Sequence, residues 1–264
     1  MMRGGEEARL RVLVYNIHAG KDAAGMHNLA RVAELVRDSR ADLVLLQEVD
    51  RGTERSGRED QLAEISRLTG LGGAFGRTLY YQGGEYGIAV LAGWPVLTDS
   101  LHPLPVEPAQ ARAGGSYEPR GAQHVTIASP RGTIHLLNSH LDASRDDSYR
   151  LQEVGTIRAL ADSLRRRGGL VLVGGDFNAE PGSRVVEQMT AGGWRDAWAT
   201  CGAGPGFTFP ADEPVKRIDY LFIPPSVRCD SAAVIDSHAS DHRPVLFILA
   251  APQQQSRSFS SRVR

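Results

Sequence analysis

Carboxylates, amides and imidazoles fall at the ends of apolar runs along this chain. Asn16 closes Leu13-Val14-Tyr15, Glu48 closes Val44-Leu45-Leu46, and Asn138 and His140 follow Ile134-His135-Leu136-Leu137. Asp176 and Asn178 come after Leu170-Val171-Leu172-Val173, Asp219 precedes Tyr220-Leu221-Phe222-Ile223, and Asp241-His242 precedes Val245-Leu246-Phe247-Ile248. If those ends meet at one edge of a layered sheet, the polar groups share a partly desolvated cleft, which is tolerable only if they pair or hold a cation. Oxygen donors without cysteine suit a hard ion. Mg2+ takes one or two protein carboxylates and keeps places for water and a substrate phosphate. Glu48 is the best direct ligand, with Asn16 and Asp241 adjacent or acting through water. Asp219 and His242 suit an orienting pair, the carboxylate steadying the ring so that it meets an attacking water or a phosphate.

The elements that must position these groups are legible as periodicities. Leu10 to Ile17 reads as a buried strand, Leu29 to Arg37 has helical spacing, and Leu43 to Leu46 is a second strand, an order that suggests α/β layering. A helix is expected over Asp60 to Leu68. Residues 72–139 hold short strand-like runs (Phe75–Tyr80, Ile88–Leu91, Val96–Leu101, His124–Ala128, Ile134–Leu137) separated by Gly and Pro, the pattern of consecutive antiparallel strands. An amphipathic helix is expected over 147–166, a strand over Leu170 to Val173, a short helix over 183–191 and a long loop over 192–216. Strands at Ile218–Ile223, Val227–Ile235 and Val245–Leu249 complete the inventory. Residues 1–8 read as a flexible leader, 9–250 as one catalytic domain, and 251–264, which lack acidic and most apolar residues, as a disordered tail.

Six motifs then appear in one order: Tyr15-Asn16-Ile17-His18, Gln47-Glu48-Val49-Asp50, Asn138-Ser139-His140-Leu141, Gly175-Asp176-Phe177-Asn178-Ala179, Arg217-Ile218-Asp219-Tyr220 and Ser240-Asp241-His242-Arg243-Pro244. Over about residues 10–249 the chain resembles the endonuclease/exonuclease/phosphatase superfamily of DNase-I-like nucleases, apurinic-site endonucleases, neutral sphingomyelinases and inositol-phosphate phosphatases. The resemblance implies a four-layer α/β/β/α sandwich, two mixed and mostly antiparallel sheets face to face with helices outside. It also implies Mg2+-dependent hydrolysis of a phosphoester, with Mn2+ as a substitute, by in-line attack of water. Carried over motif by motif, Glu48 and Asn16 sit at the metal with Asp241 helping there. Asp176 with Asn178 activates or positions the water, His140 and His242 stabilise the phosphoryl oxygens, and Asp219 orients His242. Arg120, in Glu118-Pro119-Arg120-Gly121, aligns with a position that relatives turn towards the phosphate. The water's proton goes to either Asp176 or His242. In Tyr86-Gly87-Ile88-Ala89-Val90-Leu91-Ala92-Gly93 the chain departs from relatives, which carry an amide and a Ser-Arg pair there, so substrate contacts from this strand are in doubt.

Composition bounds the alternatives. In 264 residues the hydrophobic share is 41%, and 29 Gly with 14 Pro stay below the level of low-complexity chains. A chain of this length buries a sufficient core without staples. Cys201 and Cys229 are too few for a disulfide framework and are expected to be reduced thiols. No apolar run reaches membrane-spanning or signal-peptide length, so a cytoplasmic monomer without a membrane partner is the expectation. Thirty basic residues against thirty-one acidic give a net charge of −1, which favours a phosphodiester or small organophosphate over bulk duplex DNA. A DNA-repair or non-specific nuclease on the same fold is the alternative substrate reading, and a non-catalytic binding module the alternative class.

Each residue alone has a plain structural explanation. Asn16 and Asn138 can be turn formers, Glu48 a solvated charge, and Asp176 a helix cap. Their joint order is what weakens those explanations. His18, His27 and His135 have no supporting motif. The Gly pairs at 72–73, 83–84, 114–115 and 192–193 read as turns, Arg165-Arg166-Arg167 as a helix end, and Ser240-Asp241-His242 is no serine relay because neighbours in sequence cannot form one.

Overall fold

The computed structural model describes residues 9–109 and 118–250. The leader and tail expected at 1–8 and 251–264, and the turn expected at Gly114-Gly115, lie outside the described residues. In chain order the elements are β1 (Leu10–Asn16), α1 (Leu29–Ser39), β2 (Leu43–Arg51), α2 (Gln61–Thr69), β3 (Gly72–Tyr81), β4 (Gly84–Ala92), β5 (Val96–Pro103), β6 (Gly121–Ser129), β7 (Gly132–His140), α3 (Ser148–Arg167), β8 (Leu170–Asp176), α4 (Arg184–Thr190), β9 (Arg195–Asp196), α5 (Ala197–Cys201), β10 (Asp219–Ile223), β11 (Arg228–Val234) and β12 (Val245–Ala250).

Twelve strands form two six-stranded sheets, ordered β11-β12-β1-β2-β4-β3 and β5-β6-β7-β8-β10-β9. Each sheet is antiparallel except for one central parallel pair, β1-β2 in the first and β7-β8 in the second. Parallel neighbours need a crossover, and α1 and α3 supply it. Side-chain alternation shows the layers. In β1, Leu10, Val12 and Val14 face the other sheet and join Leu136, Leu172 and Leu221 in the central core. Leu13 and Tyr15 point the other way, to Val32 and Val36 of α1 and Ile65 of α2. In β8, Val171 and Val173 meet Val154, Ile157 and Ala161 of α3. Three apolar interfaces separate four layers, the α/β/β/α sandwich that the resemblance implied.

Local signals set the helix ends. Asp60 accepts from the Ala63 N–H at 3.0 Å to cap α2, and Gly70 in the left-handed region ends it. Two sequence expectations are corrected. The loop over 192–216 contains β9 and the single-turn helix α5, whose Ala197 and Trp198 complete the central core. That helix is too short to show a periodicity. Cys201, at the end of α5, and Cys229, in β11, are not separate thiols but a disulfide, with Cα atoms 5.6 Å apart. Only the tertiary pairing of α5 with β11 brings the sulfurs together. No helix among the described residues is long and apolar enough to cross a membrane.

Candidate active site

The topology sends every motif to one edge. Asn16, Glu48, His140 and Asp176 lie at or near the C-terminal ends of the two parallel pairs. β10 runs antiparallel to β8, so its first residue, Asp219, is the register partner of Asp176, which is itself the partner of His140. Three chemically active residues thus stand side by side across three adjacent strands. β12 runs antiparallel to β1, so Asp241 and His242, just before it, arrive at the same edge.

Local backbone devices aim the side chains. The β2–β4 register shifts between Leu46 and Val49, one extra residue on β2, and Glu48 adopts φ 56°. This bulge turns a strand-end carboxylate into the cleft, as bulges beside active sites do. A Cβ on Gly175 would stand 1.9 Å from the Ser139 carbonyl oxygen, so only glycine lets β8 approach β7 closely enough to place Asp176. Asn178 takes φ 47°, a left-handed conformation that asparagine tolerates, and donates its Nδ2–H to the Leu141 carbonyl at 3.0 Å. Ser240 Oγ donates to the Asn16 carbonyl at 2.8 Å and accepts from the His242 N–H at 3.3 Å, pinning the Asp241-His242 loop to the end of β1.

The groups form one connected cluster. Asn16 Nδ2 donates to Glu48 Oε1 and to Asp176 Oδ2, both at 3.1 Å. Asp176 Oδ1 accepts the Asn178 N–H at 2.9 Å, and its Oδ2 lies 3.6 Å from both His140 Nε2 and His242 Nε2. Asn178 Nδ2 is 3.1 Å from His140 Nε2. Asp219 Oδ2 holds His242 Nδ1 at 2.9 Å. Glu48, Asp176, Asn178, His140, Asp241 and His242 all line one cavity of about 890 Å3. Arg120 lines it too, paired with Glu118 at 2.5 Å, and its Nε is buried with no hydrogen-bond partner among the described residues. Asn16 and Asp219 are buried directly behind this wall.

Burial and charge set the proton states. Asp176 is pushed up to about 7, first by burial and then by the neighbouring Asp219 carboxylate. Burial works against a charged His242, yet Asp219, Asp176 and Asp241 around it raise its pKa to about 10. The ring is therefore an imidazolium at neutral pH, with Nδ1–H held by Asp219 and Nε2–H aimed at Asp176.

Asn138 is not part of this cluster. It donates to the Leu46 and Ala89 carbonyls at 2.9 Å each and accepts from Gln47 Nε2 at 2.7 Å, a buried clamp between the sheets. Asn16 also sits differently from an expected metal ligand. Its N–H group faces the carboxylates, and its Oδ1 accepts the His18 N–H at 3.1 Å. The sequence motifs did not single out the aromatic walls of the cavity, Tyr81, Tyr86 and Phe209, the last with its ring 4.9 Å from that of His242. Tyr86 stood in the strand that departs from the family pattern. Phe209 stood in the expected loop, where no spacing marks it, and an isolated antiparallel bridge to Lys216 holds it.

The donor set fits a hard divalent cation. Asp176, Asp219 and His242 bring one ligand atom each within 4.8 Å of one another, and Asp219 Oδ1 is buried with no hydrogen-bond donor among the described residues. Glu48 and Asp241 add carboxylates on the same cavity, and the two cysteines are engaged with each other elsewhere.

The two-sheet sandwich gathers acids, amides and imidazoles at one edge, around one cavity. The chain belongs to the Endonuclease/Exonuclease/phosphatase family, whose model matches residues 13–242. It is 26% identical over 253 residues to the Escherichia coli K12 protein YbhP, covering 91% of this chain and 96% of that one. It is 29% identical over 201 residues, 72% of this chain, to the inositol phosphosphingolipids phospholipase C of Schizosaccharomyces pombe, and it spans only 46% of that enzyme's length. Among solved structures, the mannosyl-6-phosphatase Bt3783 of Bacteroides thetaiotaomicron superposes with a TM-score of 0.73 at 18% identity, over 91% of this chain and 99% of that one.

Proposed function

We propose that residues 9–250 act as one catalytic unit that hydrolyses a phosphodiester or small organophosphate by in-line attack of water, with Mg2+ as cofactor and Mn2+ as a substitute. The observation that carries this reading is Asp176 Oδ2 lying 3.6 Å from two imidazoles at one edge of the cavity, one of them charged by Asp219. Phosphoryl transfer asks for positioning and for positive charge around the non-bridging oxygens, and little else. His242 offers Nε2–H to one such oxygen. His140, steadied by Asn178, faces the same space from the neighbouring strand. Arg120 adds a guanidinium from the wall. Asp176 takes the proton of the attacking water, because a carboxyl titrating near 7 is a base matched to neutral pH, whereas the imidazolium of His242 has no free lone pair. The P–O bond to the leaving group breaks as the water oxygen bonds, and the leaving oxygen takes a proton from solvent or His242.

Glu48 and Asp241 would hold the cation, with Asn16 fixing Glu48 rather than binding through its own oxygen. Bound there, Mg2+ supplies Lewis-acid polarisation and charge neutralisation at the phosphate. Asp176, Asp219 and His242, whose ligand atoms lie within 4.8 Å of one another, border the same space.

A small or lipid-like diester fits better than duplex DNA. Aromatic rings line the cavity, Arg55 at its rim is already bound to Asp50 at 2.7 Å, and the phospholipase relative carries a phosphodiester substrate in its name. The test is cleavage of a bis-aryl phosphodiester, an abasic duplex and a plasmid, each with Mg2+ and with chelator. Mg2+-dependent cleavage of the small diester is expected, and strong abasic-site cleavage alone would overturn the preference. No hydrolysis of any phosphoester by well-folded protein would favour a binding module.

A further inference from the structure

On the outer face of the second sheet lie three histidines that the catalytic cluster does not use. His102 is on β5, His124 on β6 and His135 on β7. The register pairs His124 with Ser100 and His135 with Thr126, so the three rings form a diagonal line across three strands, two residues apart at each step. Their sheet face is the one that Leu137, the partner of His124, turns towards α3. The line sits beside the end of that helix, whose Arg167 acts on both His124 and His135. His140, in the active site, is five residues further along β7.

We propose that this row is a second, separate metal site, in which His124 Nε2 and His135 Nδ1 bind a borderline divalent transition-metal ion of the Zn2+ type, with His102 as a third ligand. The two ring nitrogens already converge, 3.0 Å apart. Two nitrogens on one tetrahedral Zn2+ stand about 3.3 Å apart, given Zn–N bonds of about 2.0–2.1 Å, so a shift of a few tenths of an ångström opens the bite. The backbone holds the His135 ring from the side away from His124. Gly168 makes a backbone hydrogen bond with it, and a Cβ added at Gly169 would stand 3.0 Å from its Cδ2 and 3.2 Å from its Nε2. Nδ1 is the atom that faces His124, and backbone support of the ring is what metal-bound imidazoles ordinarily have.

Among the described residues no carboxylate acts on His124 or His135. Thr126 Oγ1, 3.4 Å from His135 Nδ1, and Ser100 Oγ, 3.3 Å from His102 Nε2, are its nearest polar partners. Burial and the neighbouring rings, with Arg167, hold His124 down to about 4, and burial lowers His135 as well, so these two rings are neutral ligands at physiological pH. Ligands that are all imidazole select Zn2+, Cu2+ or Ni2+ over Mg2+. His102, its ring centroid 6.2 Å from that of His124, reaches the ion by a side-chain rotation on the edge strand.

Two measurements test this on the full chain. In the wild type, sub-stoichiometric Zn2+ is added while histidine ring resonances are followed. Shifts of His124 and His135 are expected to saturate at one equivalent in the presence of excess Mg2+. If only His140 and His242 respond, or no ring does, the proposal fails. Equilibrium dialysis then compares wild type with His124→Ala. The variant is expected to lose one Zn2+ equivalent, to keep wild-type phosphodiesterase activity with Mg2+, and to melt as the wild type does in EDTA but without its Zn2+-induced rise. Equal Zn2+ stoichiometry in the two proteins would overturn the proposal.

Discussion

Two groups of histidines in this molecule, one at the cavity and one on the outer face of the second sheet, differ in charge. His242, buried in the cavity wall, is raised to about 10, whereas His124, only half-buried, is lowered to about 4. Burial alone would order them the other way, since it penalises an imidazolium more the deeper it lies. The difference is the neighbour. His242 has Asp219 at 2.9 Å and Asp176 at 3.6 Å, while His124 has another ring at 3.0 Å and, among the described residues, no carboxylate acting on it. One residue type thus becomes a cation in one place and a neutral donor of lone pairs in the other. A cation suits a phosphate, and a neutral ring suits a metal.

The largest break in this comparison should come from Asp176→Asn. The amide keeps the size of the side chain but cannot take a proton from water, and it removes one of the charges holding His242 protonated. Turnover of a bis-aryl phosphodiester should fall by about 10²- to 10⁴-fold, the usual worth of general-base catalysis. Circular dichroism should show the fold retained. A loss below tenfold would move the base elsewhere, to His242.

Asp219→Asn should come next. Without the carboxylate on Nδ1, burial dominates and the pKa of His242 should drop from about 10 to the ordinary imidazole range or below, read directly by NMR titration. Activity should fall with it, and the basic limb of the pH–rate profile should move to lower pH. An unchanged His242 titration would mean that Asp176 and Asp241 suffice to charge the ring.

How much of this was legible in the sequence follows from what local pattern encodes. Strand ends carry their polar residues in linear order, so Asn16, Glu48, His140, Asp176, Asp219 and Asp241-His242 could be collected before any coordinates. The β-branched and aliphatic run along Leu10 to Ile17 likewise exposed a buried strand. What was not legible needs register or long-range contact. The diagonal of His102, His124 and His135 appears only once β5, β6 and β7 are aligned. Asn138 looked like one more cleft amide until its bonds to Leu46 and Ala89 of the other sheet showed it to be a clamp. The Cys201–Cys229 pairing required α5, a single turn without periodicity, to pack on β11. The direction of the Asn16 amide, N–H towards Glu48 and Asp176, is a side-chain choice that no spacing reveals.

The same two pKa shifts predict how stability depends on pH in the metal-free protein. Asp176 has a folded pKa of about 7 against an ordinary value near 4, so between those limits the folded state binds more protons than the unfolded one. His242 does the same between about 6.5 and about 10. In both windows stability falls as pH rises, the His242 contribution being fully present below about 6.5 and lost through about 10. Melting temperatures in EDTA should therefore decline from pH 5 towards pH 10, and Mg2+ should offset the loss near pH 7 by stabilising the ionised carboxylates. A flat profile across both windows would mean that neither group is perturbed by folding.

The smallest effect, and the sharpest for the comparison, is expected from Thr126→Asp. Thr126 is the register partner of His135 and its Oγ1 already stands 3.4 Å from Nδ1, so a carboxylate there would give the second group the one component it lacks. At a half-exposed position the pKa of His135 should rise by about one unit, the lower end of what an adjacent charge does, and that of His124 should follow. Thr98, which donates to Thr126 at 2.8 Å, can donate to the new carboxylate instead. Phosphodiesterase activity should stay at the wild-type level, because the active site lies at the far end of β7. Raised histidine pKa values with unchanged turnover would show that a carboxylate neighbour is sufficient to set the charge of a ring on this sheet. Unmoved pKa values would assign the contrast to burial and backbone contacts instead.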